Sequence, residues 1–336
     1  MTKRSIEVDK IDFVVLWVDG NDEKWRTKKN KFSNTKENGD GDSEIRYRDY
    51  GSLKYIFRSI EKYAPWVNKI HLITDDQIPN WLNLENPKLN LVDHTDFIPK
   101  EFLPTFNSNV IELNLFRLKE LSEKFVIFND DTFINNKVLP ENFFVGENIV
   151  DFGVYNKIAP IEDFAHILVN NAMFINKYFN KKDSIKKNWR KQFKLRYRSK
   201  LLRNFLLLPW NDIPGYYNPH LPQPHFKSVL NDLYELEPTL FERTFKNKFR
   251  GYEDISHWIA RYWLLEQGRY EPQYISFGKY LRISQANKVD KEIHKGKSKV
   301  ICINDDDGSD EEFNAWRSNV VNAFNLKFPQ KSKFEK

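Results

Sequence analysis

Four short apolar runs in the first 130 residues each lead into acidic side chains. The runs are 11–18, 69–74, 89–92 and 125–128, and the first acids after them are Asp19, Asp75, Asp93 and Asp130. Their length and their β-branched and aromatic residues are typical of buried strands. In an open α/β sheet the ligand crevice lies outside the carboxyl ends of the strands, so acids at those ends face a binding site rather than a core.

A helix is predicted between the first two runs. Its apolar residues follow the spacing i, i+3, i+4, i+7: Leu53, Ile56, Phe57 and Ile60. Charged residues lie between them, and Pro65 follows the end of the stripe. Strands that alternate with helices predict βαβ units. We therefore predict an α/β fold with a mainly parallel sheet, flanking helices and a site at one rim.

The fourth run ends in two adjacent carboxylates, Asp130 and Asp131. Two neighbouring carboxylates cannot both be buried without a cation, because an unpaired buried charge costs several kcal/mol. Mg²⁺ or Mn²⁺ is the simplest partner, since such ions prefer oxygen ligands and are often shared with substrate phosphates. An acidic turn after a buried strand is the alternative interpretation of this stretch alone.

The first run ends in Trp17, Asp19 and Gly20, which we assign to nucleotide binding. The Trp17 ring offers a surface on which a base can stack. Gly20 has no side chain, so the backbone there can approach a ligand closely.

Composition is compatible with a cytoplasmic enzyme. The chain has 336 residues, of which 40% are hydrophobic and 15% aromatic, enough for one large core or two smaller ones. The single cysteine, Cys302, excludes an intramolecular disulfide, as is usual in a reducing cytosol. The start has no apolar signal segment, and no apolar run approaches the roughly 20 residues that span a bilayer. We therefore expect a protein that is neither secreted nor integral to a membrane.

The net charge of +6 is modest, but positive charge is concentrated in residues 181–203, with eleven basic residues and one acid, Asp183. Large apolar residues recur there at every fourth position: Ile185, Trp189, Phe193, Tyr197 and Leu201. The pattern predicts one amphipathic helix. Its aromatic face is expected to pack on the protein's own core. The alternative is peripheral contact of residues 181–205 with an anionic membrane, at the inner face of the cytoplasmic membrane.

The remaining segments give weaker predictions. The polar residues 33–44 are expected to form a loop that closes over a donor site or is disordered. Helices are predicted at 226–234 and 255–267, a surface loop at 288–298 and a short strand at 300–303. We divide the chain into an N-terminal part of the catalytic core (1–150), a helical basic insertion (151–217) and a C-terminal part of the core (218–336).

An ordered set of motifs resembles the Stealth family of sugar-phosphate transferases. The motifs in the first half are Ile-Asp-Phe-Val-Val-Leu-Trp-Val-Asp-Gly at 11–20, Arg-Tyr-Arg-Asp at 46–49, Arg-Ser-Ile-Glu-Lys-Tyr-Ala-Pro-Trp at 58–66, Leu-Pro-Thr-Phe-Asn-Ser at 103–108 with Ile-Glu at 111–112, and Phe-Asn-Asp-Asp at 128–131. A third block resembles Pro-His-Leu-Pro at 219–222 with Arg250 and 253–254. A fourth resembles 300–306 with the closing segment 328–335. The insertion matches no block, so acceptor choice is expected there.

The resemblance implies a reaction and a partner set. Bacterial members build phosphodiester-linked capsules and surface polysaccharides, and a eukaryotic relative is the lysosomal-enzyme N-acetylglucosamine-1-phosphotransferase. The implied activity is transfer of a hexose-1-phosphate or N-acetylhexosamine-1-phosphate from a nucleotide-sugar, with UDP favoured, to a glycan hydroxyl. The glycan would be a lipid-linked oligosaccharide or a growing polysaccharide. The implied sheet is glycosyltransferase-like.

The resemblance also implies roles for individual residues. Metal ligands would be Asp130, Asp131 and Asp305, with Asp131 also counted among the catalytic residues. Arg250 would grip the diphosphate through its guanidinium fork, and His220 would take the acceptor proton. Asn107 and Glu112 would orient sugar hydroxyls. Asp305 in a surface acidic turn, Arg250 on the surface and His220 in a plain loop are the alternatives without the resemblance.

Two further residues are ranked lower. His225 lies near His220, but its role does not transfer, so it is placed below His220. Arg58 is expected to support the fold by pairing with an acid.

Two other function classes compete with sugar-phosphate transfer. A metal-dependent glycosyltransferase would use similar carboxylates but would attack the anomeric carbon. A nucleic-acid-binding protein would use the basic segment, but no recognition fold is visible, so no nucleic-acid partner is expected.

Overall fold

A computed structural model describes residues 9–33, 47–48 and 50–336. The strands are β1 Ile11–Leu16, β2 Ile70–Thr74, β3 Leu89–Asp93, β4 Lys124–Phe128, β5 Thr132–Ile134, β6 Phe144–Val145, β7 Asn148–Asp151, β8 Gln223–Phe226, β9 Tyr270–Pro272, β10 Gly278–Arg282 and β11 Val300–Asn304. The α-helices of the described residues are α1 Glu23–Asn30, α2 Leu53–Tyr63, α3 Ser108–Leu113, α4 Ala165–Tyr178, α5 Lys181–Gln192, α6 Leu201–Leu206, α7 Lys227–Leu236, α8 Pro238–Phe245, α9 Trp258–Gln267, α10 Ala286–Lys295 and α11 Asp310–Lys327. Residues 34–44 of the predicted loop, and the motif residues Arg46 and Asp49, lie outside the described residues.

The main sheet has the strand order β3-β2-β1-β4-β8. β1 to β4 are parallel, and β8 joins β4 antiparallel at the edge. The predicted α/β fold with a mainly parallel sheet is confirmed. The chain runs outward from β1 to β3 on one side and returns to β4 on the other side of β1. The strand order therefore reverses between β1 and β4, which is where such sheets open a ligand crevice.

The predicted helix stripe lies in α2, where its four apolar residues are buried. Arg58 on the same helix donates from Nε and Nη2 to the Glu335 carboxylate at 2.8 and 2.6 Å. Its Nη1 donates to the Phe328 carbonyl oxygen at 2.7 Å. The expectation that Arg58 pairs with an acid is confirmed, and this bidentate pair fastens the C-terminal segment to α2.

A second sheet has the strand order β10-β11-β5. β5 follows directly after Asp131 and pairs antiparallel with β11, so that Cys302 lies opposite Thr132. The backbone N–H of Ile303 donates to the Asp131 carbonyl oxygen at 2.8 Å. This pairing carries the acidic segment after β11 to the acidic end of β4.

The prediction of one amphipathic helix over 181–203 is wrong. α5 ends at Gln192, a short 3₁₀ segment follows at Leu195–Lys200, and α6 begins at Leu201. Buried Asn204 donates to the carbonyl oxygens of Gln192 and Gly153, at 2.8 and 2.9 Å. Tyr197 is fully buried, and its hydroxyl accepts from the Gly153 N–H at 3.0 Å. These tertiary bonds fold the segment back on itself and override the helical spacing.

The predicted loop at 288–298 is also wrong, because α10 covers most of it. Its buried residues are Val289, Glu292 and Ile293. Only two of them are apolar, so the sequence shows no helical periodicity there. The other three predictions are confirmed: the strand at 300–303 by β11, and the helices at 226–234 and 255–267 by α7 and α9.

One continuous hydrophobic core draws residues from all three predicted segments, including Phe13, Phe174 and Leu264. The three segments therefore do not have separate hydrophobic cores. Their division into two catalytic parts and an insertion stays a prediction about function. Across the described ranges, none of the helices has the length and apolar character needed to cross a membrane.

Candidate active site

Asp131 and His220 meet at the crevice end of β4. His220 Nε2 lies 3.3 Å from Asp131 Oδ2. The Asn129 side-chain amide lies 3.4 Å from the same imidazole nitrogen. His220 has a φ of +48°, a left-handed conformation that is uncommon outside glycine and costs energy. The fold thus holds this imidazole against the carboxylate at the expense of backbone strain.

The pair is electrostatically coupled. Burial alone would lower the pKa of His220, but the charge of Asp131 and the hydrogen bond to it outweigh burial, so the pKa is raised. The imidazole therefore favours its charged form beside Asp131.

Cys302 is the third side chain at this point, and sequence reasoning assigned it no role. Its Sγ donates to Asp131 Oδ2 at 3.2 Å, across 171 positions of sequence. Burial raises the pKa of the Cys302 thiol well above its ordinary value, and the Asp131 charge adds to this effect. In this thiol form Cys302 is a hydrogen-bond donor to Asp131 and helps to orient its carboxylate.

Asp131, His220 and Cys302 form the one group in residues 9–33, 47–48 and 50–336 whose ligand atoms are close enough to hold a metal ion, all within 4.8 Å of one another. Two buried carboxylate oxygens, Oδ1 of Asp131 and Oδ2 of Asp305, accept no hydrogen bond from any described residue. Buried polar atoms are normally paired, and orphaned carboxylate oxygens suit a hard divalent cation.

The charges of the three predicted metal ligands all act on Tyr50, a residue that sequence reasoning missed. Burial raises the pKa of the Tyr50 hydroxyl, and the charges of Asp305, Asp131 and Asp130 raise it further. Asp305 also lies near a cation, with Oδ2 at 3.8 Å from Arg48 Nη1. Burial raises the pKa of Asp305 too. Joint ligation of one ion by the three aspartates stays a prediction.

Arg250 and Glu112 lie beside the Asp131–His220 pair. Arg250 Nη2 donates to Ser108 Oγ at 2.7 Å, and its guanidinium lies 5.8 Å from the centre of the Phe164 ring. Glu112 is buried, and burial raises its pKa to about 7, although the charges of Arg250 and His220 act in the opposite direction.

Behind Glu112 lies a pair of buried histidines. His257 Nε2 is 3.7 Å from Glu112 Oε2, and His257 Nδ1 is 2.9 Å from His225 Nε2. Burial lowers the pKa of His225 to about 3 and that of His257 well below its ordinary value, so both are neutral. If His225 donates its Nε2–H to His257, then His257 keeps an Nε2–H that faces Glu112. His225 thus reaches Glu112 only through His257, and its rank below His220 stays a prediction.

Asn107 is fully buried and bonded on both sides of its amide. Its oxygen accepts from the Asn109 N–H at 3.1 Å, and its nitrogen donates to Asp254 Oδ2 at 2.7 Å. Asp254 also accepts from the Gly251 N–H at 3.1 Å. The predicted contact of Asn107 with sugar hydroxyls does not fit this geometry, because no part of the amide is exposed. Asn107 instead ties the start of α3 to the loop that carries Arg250.

The predicted nucleotide-binding residues lie at the carboxyl end of β1. Gln77 holds this loop, accepting from the Asp19 N–H at 2.9 Å and donating to the Asp19 carbonyl oxygen at 3.0 Å. A Cβ on Gly20 would lie 2.0 Å from the Tyr47 carbonyl oxygen, so glycine is needed for backbone packing as well as any ligand approach. Trp17 Nε1 is buried without a hydrogen bond in the described residues. Nucleotide binding by these residues stays a prediction.

Family models match two stretches of the chain: Stealth protein conserved region 1 at residues 9–37 and conserved region 2 at residues 46–152. A capsular polysaccharide phosphotransferase WcwK of Streptococcus pneumoniae is 48% identical over 98% of this chain and 99% of its own length. The exopolysaccharide phosphotransferase cps2G of Lactiplantibacillus plantarum is 42% identical over 97% and 96%. The receptor polysaccharide phosphotransferase WefC of Streptococcus gordonii is 37% identical over 98% and 99%.

The chain belongs to the Stealth family. It is an enzyme, a phosphotransferase. Among solved structures, the galactosyltransferase LgtC in complex with donor and acceptor sugar analogues resembles this Stealth protein with a TM-score of 0.42 and 10% identity, over 96% of this chain and 98% of that one.

The two matched Stealth regions contain part of the candidate site. Region 1 holds Trp17, Asp19 and Gly20, and region 2 holds Glu112 and the end of β4. His220, Arg250 and Asp305 lie beyond them, within the stretch that aligns with the full-length relatives. The third and fourth motif blocks stay predictions.

Replacing Glu112 with Gln in this Stealth protein is expected to make stability less dependent on pH. The folded state holds a proton on Glu112 up to a pH of about 7, whereas the ordinary value is 4.5, so its contribution to stability is complete below pH 4.5 and is lost as pH rises through 7. At about 1.4 kcal/mol for each pKa unit, the wild type should lose about 3 kcal/mol of unfolding free energy between pH 4 and pH 8 that the variant does not lose. Denaturant unfolding at both pH values measures this difference, and parallel curves for the two proteins would contradict it.

Proposed function

We propose that this protein transfers a hexose-1-phosphate or N-acetylhexosamine-1-phosphate from a nucleotide-sugar, favouring a UDP-sugar, to a glycan hydroxyl. The product would be a phosphodiester linkage in capsular or other cell-surface polysaccharide. The observation that carries this proposal is the coupled Asp131–His220 pair, with an orphaned carboxylate oxygen and Arg250 beside it, at the crevice between β1 and β4. The names of the full-length relatives support polysaccharide as the acceptor class.

In this reaction an acceptor hydroxyl oxygen attacks the phosphorus that carries the sugar. A new P–O bond forms, the bond from that phosphorus to the bridging oxygen breaks, and the nucleoside monophosphate leaves with the electron pair. Negative charge grows on phosphoryl oxygens, so positioning and electrostatic stabilisation carry most of the catalysis.

Asp131 has two roles in this proposal, and the other residues of the site have one each. The neutral fraction of His220, which its raised pKa makes a stronger base, takes the proton of the acceptor hydroxyl, and Asp131 stabilises the imidazolium that results. Arg250 binds the diphosphate through two N–H groups, with Ser108 holding its guanidinium in place. Asp131 and Asp305, with Asp130, would hold a Mg²⁺ or Mn²⁺ ion, which would neutralise charge on the diphosphate when bound.

The leaving group decides between this function and its alternative. We expect UMP release from a UDP-hexose or UDP-N-acetylhexosamine, with a new phosphodiester resonance in the phosphorus NMR spectrum of the product. Because the anomeric C–O bond is not broken, the α or β configuration of the donor should be unchanged. A panel of nucleotide-sugars with one glycan acceptor provides the measurement. Release of UDP with a phosphate-free glycoside would assign the enzyme to the ordinary glycosyltransferases instead.

The acceptor in this proposal is a lipid-linked oligosaccharide or a growing polysaccharide, reached by peripheral contact at the inner face of the cytoplasmic membrane. The broken helix of the basic segment still exposes apolar residues, because Leu202, Phe205 and Leu206 lie at i, i+3 and i+4 on α6 and are exposed. Trp189 is also exposed, and its ring stacks on Phe193 at 4.0 Å. Exposed basic side chains flank this apolar surface: Lys182, Lys186, Lys187, Arg190, Lys194 and Arg198. Apolar anchors flanked by positive charge suit an anionic bilayer surface.

Replacing Lys186, Lys187, Arg190 and Lys194 together with Gln should release the protein from anionic liposomes at low salt. Sedimentation with the liposomes measures binding, and turnover on a water-soluble acceptor should persist. A control variant with Gln at four exposed lysines around α10, namely Lys288, Lys291, Lys295 and Lys297, loses the same charge elsewhere. Equal loss of binding in both variants, or no binding by the wild type, would leave packing on the protein's own core as the role of this segment.

A further inference from the structure

A cavity of about 950 Å³ lies beyond the carboxyl ends of β2 and β3. Helix α1, the residues that follow these two strands, and the segment 100–104 form its wall. The second and third apolar runs of the sequence end here, at Asp75 and at Asp93 with His94. The roles proposed above for the Asp131 site use none of these residues.

Helix α1 lines the cavity with one face and packs against an aromatic cluster with another. Lys24, Thr27 and Lys28 on one face of α1 line the cavity. Trp25 on another face packs edge-on against Phe106 at 5.7 Å, and Phe106 stacks on Phe249, the neighbour of Arg250. In the sheet, β2 and β3 lie two and three strand positions from β4. At about 4.8 Å for each position, the cavity lies about 10–15 Å from the end of β4.

Two buried side chains in the wall of the cavity carry polar atoms that no described residue satisfies. Asp75 is 8% exposed and His94 is 6% exposed, and both line the wall. Within residues 9–33, 47–48 and 50–336, Asp75 Oδ2 and His94 Nδ1 have no hydrogen-bond partner. The nearest pairing, His94 Nδ1 to Asp75 Oδ1, is 3.8 Å and too long for one. Burial lowers the pKa of His94 despite the charges of Asp75 and Asp93, so its ring is neutral and has one donor and one acceptor nitrogen. A carboxylate beside a neutral imidazole matches the hydroxyls of a sugar.

The rest of the wall is cationic and apolar. Four lysines line it, against the carboxylates of Glu23 and Asp75: Lys24, Lys28, Lys31 and Lys100. Lys28 Nζ is committed to Asp75 Oδ1 at 2.5 Å. The remaining lysines outnumber the remaining acid, so the cavity favours an anion. Phe32, which is 44% exposed, adds an apolar surface.

We propose that this cavity is a second carbohydrate site, which binds a phosphate-bearing segment of the acceptor glycan. Lys31 and Lys100 contact the phosphate, and Asp75 and His94 contact sugar hydroxyls. The inference rests on the proposed function, because an enzyme that extends a phosphodiester-linked chain meets acceptors that already carry a phosphodiester. The separation of about 10–15 Å from the end of β4 is one that a short oligosaccharide can bridge. A phosphate beside sugar hydroxyls also occurs in the nucleotide of the donor, and the experiment separates the two sources.

The test compares the full-length wild type with a Lys31→Gln, Lys100→Gln double variant. Its probes are a synthetic sugar-phosphate-sugar oligosaccharide, the same oligosaccharide without the phosphate, and a nucleotide-sugar. We expect the variant to bind the phosphodiester oligosaccharide at least tenfold more weakly in calorimetry, with the other two Kd values unchanged. A Lys288→Gln, Lys291→Gln variant loses the same charge on an exposed surface elsewhere and should match the wild type. A second variant, Asp75→Asn, should weaken both oligosaccharides, because it removes an acceptor of hydroxyl hydrogen bonds.

Three outcomes would overturn the proposal. Weaker binding of the nucleotide-sugar alone would assign the cavity to the donor. Unchanged binding of all three probes would show that the cavity is not a site. Equally weak binding of the phosphodiester oligosaccharide by the Lys288→Gln, Lys291→Gln control would show that the effect comes from the net charge of the protein and not from this cavity. Because calorimetry requires no turnover, a failure of the proposed reaction would appear separately, as absence of UMP release by the wild type.

Discussion

Replacing Asp131 with Asn should lower kcat by about 10³ or more, the usual consequence of removing a preorganised charge from such a site. Asp131 Oδ2 is shared by His220 and by the Cys302 thiol, and Oδ1 is buried with no hydrogen-bond partner in the part of the chain that the structure describes. An amide has the same shape but no charge, so it can neither stabilise the His220 imidazolium nor neutralise a cation. Phosphorus NMR and UMP release under saturating donor measure the loss.

The same substitution should change the melting temperature by only a few degrees. Asp131 lies beside a second acid, Asp130, so removing one carboxylate charge is expected to relieve like-charge repulsion and offset the lost hydrogen bonds. Asp307→Asn, in the exposed part of the neighbouring acidic turn, is the matched control and should keep full activity.

Metal removal tests the same site independently. Excess chelator should abolish turnover of the wild type, and Mg²⁺ or Mn²⁺ should restore it. Full activity in chelator, together with full activity of Asp131→Asn, would remove this carboxylate from the reaction.

The strands of the parallel sheet were predictable because their signal is local. The residues from Ile11 to Val15 are all apolar except Asp12, and all five are buried. β8 was not predictable, since Gln-Pro-His-Phe contains a proline and no apolar run. It pairs with β4 only at the sheet edge, where a missing backbone N–H is tolerated.

Asp12 itself shows what a local pattern cannot reveal. Its carboxylate accepts from Asn68 Nδ2 at 2.7 Å and from the Ser122 N–H at 2.8 Å, and lies 3.1 Å from His71 Nε2. Burial alone would raise its pKa, but these hydrogen bonds outweigh it and lower the pKa to about 2. The partners come from two segments far from Asp12 in the sequence, residues 68–71 and Ser122, so only the fold explains a charge inside a strand.

The candidate site divides in the same way. Asp130 and Asp131 were found because they follow a buried run directly. Cys302 and Tyr50 were missed, because they reach Asp131 through the pairing of β5 with β11 and through packing of a distant segment. The burial of Asn107 was not predictable, because family motifs do not separate residues that touch a substrate from residues that hold such a residue in place.

Replacing His220 with Ala should lower kcat by about 10²–10⁴, which is the usual contribution of a positioned acid or base. Binding of the nucleotide-sugar should change little, because the diphosphate contacts are assigned to Arg250 and the metal ligands. Presteady-state turnover and calorimetry of the donor separate these two effects. A parallel rise in the Kd of the donor would instead give His220 a binding role.

The backbone of His220 supplies the control that this prediction needs. At a φ of +48°, alanine is strained, and asparagine tolerates the left-handed conformation better. His220→Asn therefore keeps the loop geometry and removes only the imidazole. If the role is chemical, both variants should lose activity equally, whereas recovery in His220→Asn alone would show that the loss in alanine comes from loop strain. Near-normal turnover in both would leave the buried carboxyl of Glu112, with a pKa of about 7, as the group suited to take the acceptor proton.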